Sequence, residues 1–452
     1  MIIVNILLCF FLVIGLGGCQ SEQEETPKAA APKAIESAST VPTPAEKVKQ
    51  QTVSLLQDPI EPVLVENPAQ ALAYWQQYKS SRPTLILLSN DPYLQPLPAQ
   101  TVEQVLAELA SASRQEIVSR STARIANPLL LPAMATSAAL RGQLFSSIIW
   151  EIPTDAPKDK LSAQAFRTQL LDMGAITTEE ASSIEYDDGV IRGRIRNVPF
   201  QARHPQAMTP VTGPVIVHID VGYFSPLYEG EIKTKLYPLL YKTLDKLRQQ
   251  AAQVLTATIS YSNQSSNLPL STRFIGPDLA TIFQQPNLLD KELPRLWRQR
   301  SHTLYLPNFF QAKEVNKLLL DMDISDPGQP SIKYALYQAH ITRKQGDVAL
   351  DYLAQAVALD SGYGLEYLAL SSLARDNDLP EKSLEMLQLA AETFPDDPFI
   401  KTQIISELQK SDQIDPARKI LEQLQGLNWS ETFYPNWPAK LEELKNRLAQ
   451  QE

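Results

Sequence analysis

The sequence predicts an α/β domain, a mainly parallel sheet covered by helices, over residues 65–312, followed by an all-α helical repeat array over residues 313–452. Three observations carry this. In the middle of the chain short apolar runs alternate with amphipathic stretches, the pattern of strands buried on both faces and joined by crossover helices. Beyond about residue 330 small and large apolar residues recur at a spacing of 34 instead. Ahead of both, Gln20 to Gln50 is rich in Ala, Pro, Glu, Lys, Ser and Thr and has no aromatic residue. Such a segment cannot bury enough surface to offset its ordering entropy.

The first element is a greasy start. Ile2 to Gly18 carries no charge, is almost wholly apolar, and runs into Leu16-Gly17-Gly18-Cys19. That is a secretory apolar region closed by small residues that a peptidase can cut. At about 20 residues for a membrane span, the run sits at the short edge. The small-small-Cys ending resembles the lipobox of bacterial lipoproteins. The resemblance implies that residues 1–18 are a signal peptide, that Cys19 carries acyl chains, and that the mature chain is anchored to a membrane. Met1-Ile2-Ile3-Val4-Asn5 departs from the pattern, since it lacks the basic start of such signals. Gln20 rather than Asp follows the Cys, which by the same resemblance implies the outer membrane of a cell envelope. Cys9 leaves with the signal, so the mature chain is expected to hold no free thiol, disulfide or Cys metal site. Residues 19–64 then read as a Pro-spaced tether that holds the folded part off the bilayer.

The α/β domain follows element by element. Thr84 to Ser89 is a short apolar run closed by Asn90-Asp91-Pro92, which suits a doubly buried strand. Thr101 to Ala110 reads as a helix with Thr101 as its cap, and Leu129 to Leu144 as another. Ser146 to Ile152 is a strand stopped by Pro153, and Ser162 to Met173 a helix capped by Ser162. Asp187-Asp188-Gly189 between two apolar pairs is a hairpin signal. Val215 to Asp220 is the strongest strand, with a helix expected from Glu231 to about Gln250 and a strand from Val254 to Tyr261.

In the last part three sets line up 34 residues apart: Ala349, Ser383 and Ala417; Leu353, Leu387 and Leu421; Ala356, Ala390 and Leu424. Small residues let paired helices approach and the Leu positions fill the space between them. Leu336, Leu370 and Ile404 repeat in step, Pro395 ends the second unit, and Asn436 to Gln450 reads as a capping helix. The spacing and the small-large-small pattern resemble the second helix of tetratricopeptide repeats. The Trp-Leu-Gly part of that signature is missing, so the first helices are atypical. Arrays of this kind present a groove, which implies a protein or peptide partner there.

Candidate chemistry centres on His218-Ile219-Asp220-Val221-Gly222-Tyr223-Phe224-Ser225-Pro226, after the best strand and before a helix. Ligands of parallel sheets sit at strand carboxyl ends, so Asp220 is expected to project toward a site. The segment resembles the Asp-x-Asp-x-x-Asp-Pro metal motif of the arginase/deacetylase fold. Asp220 matches its first Asp and Pro226 its Pro, but Gly222 and Ser225 replace the other two carboxylates. The resemblance therefore implies a degenerate arginase-like domain that has lost its metal pair, which needs several carboxylates and imidazoles. Of the four His, His204 and His218 are placed to take part, while His302 and His340 lie elsewhere. An Asp that caps the strand-to-helix turn is the plainer reading of Asp220.

Net charge is −10, which disfavours nucleic acid as a partner. With 34 Pro against 16 Gly, phosphate-cradling loops are scarce, and neither a P-loop nor a G-x-S-x-G nucleophile elbow is present. The expectation is a lipid-anchored binding or assembly module without a cofactor, its α/β domain not catalytic. The alternative is a metal-dependent hydrolase of C–N bonds in the cell envelope, with one divalent ion on Asp220, His218 and Asp91.

Overall fold

The computed structural model describes residues 52–153, 162–205, 209–250, 252–261 and 269–450. The signal peptide, Cys19 and the tether up to residue 51 lie outside the described residues. Residues 52–64, read from the sequence as the end of the tether, carry two strands, β1 (Val53–Ser54) and β2 (Val63–Val65). Leu55 and Leu56 between them are buried in the core, which is why this stretch folds with the domain.

The chain continues through α1 (Pro68–Trp75), β3 (Thr84–Leu88), α2 (Val102–Ser111), α3 (Arg114–Arg120), α4 (Ala135–Arg141) and β4 (Ser147–Glu151). Then come α5 (Ala163–Asp172), α6 (Thr178–Ser182), β5 (Glu185–Asp187), β6 (Val190–Ile195), β7 (Val198–Arg203) and β8 (Pro214–Asp220). The domain closes with α7 (Leu236–Gln249), β9 (Gln253–Ser260), α8 (Ile275–Gln284) and α9 (Arg295–Tyr305). Among the described residues the strands form one sheet in the order β1-β9-β8-β3-β4-β7-β6-β5, with β2 also against β9. The pairs from β2 through β9, β8, β3 and β4 to β7 are parallel.

The sheet is mixed, because a meander of β5, β6 and β7 forms one edge and β1 pairs antiparallel with β9 at the other; the meander has two turns. Its first turn is the predicted one, with Asp188 and Gly189 at φ 45° and 79°. Its second is Arg196-Asn197, also at positive φ, and Asn tolerates that region better than most residues. Side chains alternate across the sheet as a doubly buried strand requires. Leu85 and Leu87 join one core with α1 to α5, while Ile86 and Leu88 join the other with α7 and α8.

Three helix boundaries differ from the sequence reading. The helix expected from Glu231 starts at Leu236, because Gly230 turns the chain at φ 93° and Glu231 folds back to accept the Leu236 N–H at 3.1 Å. The helix expected over Leu129–Leu144 shrinks to α4, preceded by a single 3-10 turn that Pro132 opens. Thr101 does not cap α2; its hydroxyl donates to the Pro98 carbonyl.

The C-terminal half is helical. α10 (Ala312–Ser325) packs on α11 (Pro330–Thr342) through Leu319, Met322, Ile332 and Leu336. Helix α11 pairs with α12 (Gly346–Leu359), α13 (Leu365–Asp376) with α14 (Pro380–Thr393), and α15 (Pro398–Lys410) with α16 (Ile414–Gln425). α17 (Trp437–Ala449) caps the stack. Ala349, Ser383, Ala417, Leu353, Leu387, Ala356, Ala390 and Leu424 are fully buried and Leu421 nearly so, as the 34-residue register requires. The turns inside the pairs keep the same register: Lys344, Asp378 and Asp412 all take left-handed backbone, at φ 61°, 55° and 57°. That repeat of a strained conformation is independent of the apolar pattern.

Candidate functional site

The parallel strands run β9-β8-β3-β4-β7, so the chain leaves β3 toward one edge and β8 toward the other. The crevice outside the carboxyl ends of β3 and β8 is thus the topological switch point, where ligands of such sheets bind. Both segments singled out from the sequence lie there, Ser89-Asn90-Asp91 after β3 and Asp220 at the end of β8.

Asp220 is buried, and its carboxylate serves its own turn. Oδ1 accepts the Gly222 N–H at 2.7 Å and Oδ2 accepts the Ser260 hydroxyl at 2.5 Å. The expectation that it projects toward a ligand gives way to the capping role. His218 is fully buried between two hydroxyls of the neighbouring strand β9. Its Nδ1 lies 2.8 Å from Thr258 Oγ1 and its Nε2 3.2 Å from Ser260 Oγ. Parallel pairing puts these partners in reach: His218 is opposite Thr258, and Asp220 opposite Ser260. Trp75 on α1 adds its indole N–H to Thr258 Oγ1 at 3.1 Å and packs edge-on to the imidazole at 5.4 Å.

The donors and acceptors order themselves head to tail. Trp75 donates to Thr258, and Thr258 donates to His218 Nδ1, the nearer acceptor than the Val217 carbonyl at 3.4 Å. The Ser260 proton goes to Asp220, so His218 Nε2 carries the proton and donates to Ser260 Oγ. This leaves a neutral imidazole, in keeping with burial, which pulls its pKa down to about 3. A chain of this kind strengthens each of its members and fixes one arrangement of the strand ends.

Asp91 is exposed on the loop after β3, and its Oδ1 accepts the Tyr93 N–H at 2.6 Å. Among the described residues no three His, Cys, Asp or Glu side chains come together in a way that could hold a metal ion. The donor set of the alternative reading, Asp220, His218 and Asp91, therefore does not fit a divalent ion. Two of the three are spent on hydrogen bonds inside the sheet. His204 is buried just beyond β7, His302 is exposed, and His340 stacks on Tyr352 in the repeats.

The sequence reading missed a second polar group at the same edge. Glu151 ends β4 and Arg203 ends β7, paired directly across the ladder and fully buried. Arg203 donates to Glu151 Oε1 at 2.7 Å, to Thr209 at 3.2 Å and to Gln250 at 3.1 Å. Burial pushes the Glu151 carboxyl up to about 7, while the guanidinium pulls the other way. The available signal was a charge closing each of two apolar strand runs.

The repeats meet the α/β domain through buried arginine. Arg273, only 3% exposed, grips Glu66 ahead of α1 and Asp360 between α12 and α13, each through two hydrogen bonds of 2.6–2.9 Å. Its guanidinium lies over Tyr261 at 3.8 Å. Burial works against its charge, but the two carboxylates outweigh that and raise its pKa. Nearby, Arg124 pairs with Asp397 at 2.6 Å and Ser430 donates its N–H to the Ala126 carbonyl at 3.0 Å. Asp360, Asp397 and Ser430 all lie in the connections that follow α12, α14 and α16.

No protein-family model matches the chain, and no curated protein matches it. Among solved structures it is similar to a chain in the crystal structure of MamA, with 14% identity over 40% of this chain and 98% of that one, at a TM-score of 0.23. It is also similar to a chain in the crystal structure of the APC/C hetero-tetramer Cut9-Hcn1, with 12% identity over 50% of this chain and 41% of that one, at a TM-score of 0.22. At scores this low neither likeness bears on the reading, and the repeat architecture rests on the chain's own register.

Proposed function

We propose that this chain is a lipid-anchored binding or assembly module of the cell envelope, with a protein or peptide partner on its helical repeats. The observation that carries this is the helix-pair stack itself. Its interior is filled at the 34-residue positions, yet one first-helix position stays open in the first two repeats and is half-buried in the third, at Ser406. Gln338 and Ser372 are exposed one repeat apart, and Ala369, one turn before Ser372 on the same helix, is exposed as well. The α/β domain engages the connections after the second helices, through Asp360 and Asp397, and so leaves those positions uncovered. In this reading the α/β domain supports the array rather than catalysing a reaction. Its polar groups at the switch point hold one another, and among the described residues no three His, Cys, Asp or Glu side chains come together.

A photo-crosslinking residue at Ala369 of the full-length chain, in intact cells, tests the proposal. A discrete crosslinked partner from this position, lost when Gln338 and Ser372 are changed to Arg together, is expected. Crosslinks that form equally from an exposed position of α5, such as Gln169, would remove the repeats as the binding surface.

A further inference from the structure

The connection from α9 to α10 and the outer face of α10 form an apolar surface with no cover among the described residues. Phe310 is 96% exposed and Phe309 49%. On α10, Lys313, Lys317, Leu320 and Ile324 fall on one stripe, since spacings of four, three and four residues keep side chains on one helix face. All four are exposed, Ile324 at 82%. The opposite face is buried through Leu319 and Met322. Glu314 and Asp321 on one side and Asp323, paired with Lys333 at 2.8 Å, on the other each sit roughly a quarter-turn off the stripe.

Phe310 holds a position that ordinarily favours glycine. It ends a 3-10 turn with left-handed backbone at φ 58°, and its N–H bonds to the Pro307 carbonyl at 3.2 Å. A bulky residue there costs backbone energy, and this one recovers nothing by burial. Folding alone therefore does not account for a phenylalanine at the tip.

We infer that this surface lies on an anionic lipid bilayer, with Phe309 and Phe310 as wedges and the α10 stripe as an interfacial helix. Aromatic tips and helices with basic and apolar residues on one face are what the headgroup boundary takes up. The charge favours a membrane. Lys313 and Lys317 are exposed beside the apolar residues and the stripe itself holds no carboxylate, although α10 as a whole carries Glu314, Asp321 and Asp323. The inference rests on the proposed anchor at Cys19 for its location. The 32 residues from Gln20 to Gln51 span at most about 110 Å, so the body never leaves the neighbourhood of the bilayer.

The test uses residues 19–452 with Cys19→Ser, so that no acyl chain contributes. The protein is sedimented with vesicles of phosphatidylcholine, with and without phosphatidylglycerol. Binding to the anionic vesicles is expected, weakened by salt. Phe310→Gly and Ile324→Ser should each reduce it about tenfold, the effect of withdrawing one large apolar side chain. Phe310→Gly should melt no lower than the parent, because glycine suits the backbone there. No binding by the parent, or equal binding by the variants, would overturn the inference. So would a parent dimer that Phe310→Gly dissociates without changing vesicle binding, since the surface would then face a second copy. Acyl labelling at Cys19 is read separately in cells, so failure of the anchor and failure of this surface are told apart.

Discussion

The buried imidazole of His218 makes the stability of the fold depend on acid in a calculable way. Its folded pKa, pulled down to about 3 by burial, lies below the unfolded value of 6.5. Acid therefore protonates the unfolded chain first. The contribution of His218 is whole above about pH 6.5 and is lost as pH falls toward 3. Each pH unit in that window costs about 1.4 kcal/mol, so the fall from 6.5 to about 4.5 costs about 2.7 kcal/mol. That is a large fraction of a typical 5–15 kcal/mol.

Glu151 acts in the opposite sense. With its carboxyl pushed up to about 7, the folded protein keeps a proton that the unfolded chain gives up, and stability falls as pH rises from 4.5 to 7. The two effects are separated by a variant, His218→Gln, which cannot titrate. Urea unfolding of parent and variant across this pH range gives two profiles, and all other groups cancel in their difference. The variant is less stable at neutral pH but loses about 2.7 kcal/mol less on acidification to about pH 4.5. Parallel profiles would refute the reasoning. They would mean that the folded imidazole takes up a proton, its charge balanced by Asp220 through Ser260, and the head-to-tail order of the chain would be wrong.

Four further outcomes are expected. Phe in place of Ala356 or Ala390, both fully buried between paired helices, should overpack the array and lower stability by about 1–3 kcal/mol, read as a shift in melting temperature. Arg273→Ala leaves Glu66 and Asp360 facing an empty pocket; since these are 37% and 22% exposed and water can reach them, the loss in urea unfolding should be about 3 kcal/mol, the lower end for a broken buried pair. Cys19→Ser should abolish metabolic labelling by a fatty acid, and equal labelling of parent and variant would end the anchor reading. Asp220→Ala should destabilise by about 1–3 kcal/mol through the Gly222 N–H and Ser260 hydroxyl it deprives, with bound metal unchanged by elemental analysis; two tightly held Mn or Zn per chain, lost in the variant, would make the hydrolase the better reading.

Periodicity made the architecture legible and left the site largely hidden. The runs Thr84–Leu88, Ser147–Glu151 and Pro214–Asp220 read as buried strands because each is apolar on both faces, and they lie side by side. The 34-residue register survived a missing Trp-Leu-Gly signature because it records where helices touch, and contact needs small residues whatever else changes. The β5-β6-β7 meander was only half legible: Asp188-Gly189 announces its turn, whereas Arg196-Asn197 carries no glycine. The short strands β1 and β2 escaped because they hold two and three residues and follow directly on a Pro-rich, polar run, although Leu55, Leu56 and Val65 are buried. At the switch point, spacing along the chain located Asp220 and His218 but could not show what they touch. Thr258 and Ser260, some 40 residues on, take up both nitrogens of the imidazole and one carboxylate oxygen, and that is set by strand register rather than by any local motif.

These arrangements bear on one another. Residues 52–452 form a single compact unit, although the sequence divides them into a sheet domain and an array. Arg273 and Arg124 bind the connections after α12 and α14 at one junction. The second junction is α10, which packs between α9 and α11, while Trp297 of α9 stacks on Tyr237 of the sheet's covering helix at 5.2 Å. An array held at two places cannot swing freely on its sheet domain, so its first-helix positions keep a set direction relative to the stripe on α10. If that stripe rests on the bilayer, the α/β domain acts as a bracket. On the proposed reading it would fix the angle at which the repeats meet a partner, and buried ion pairs with a locked polar chain suit that task.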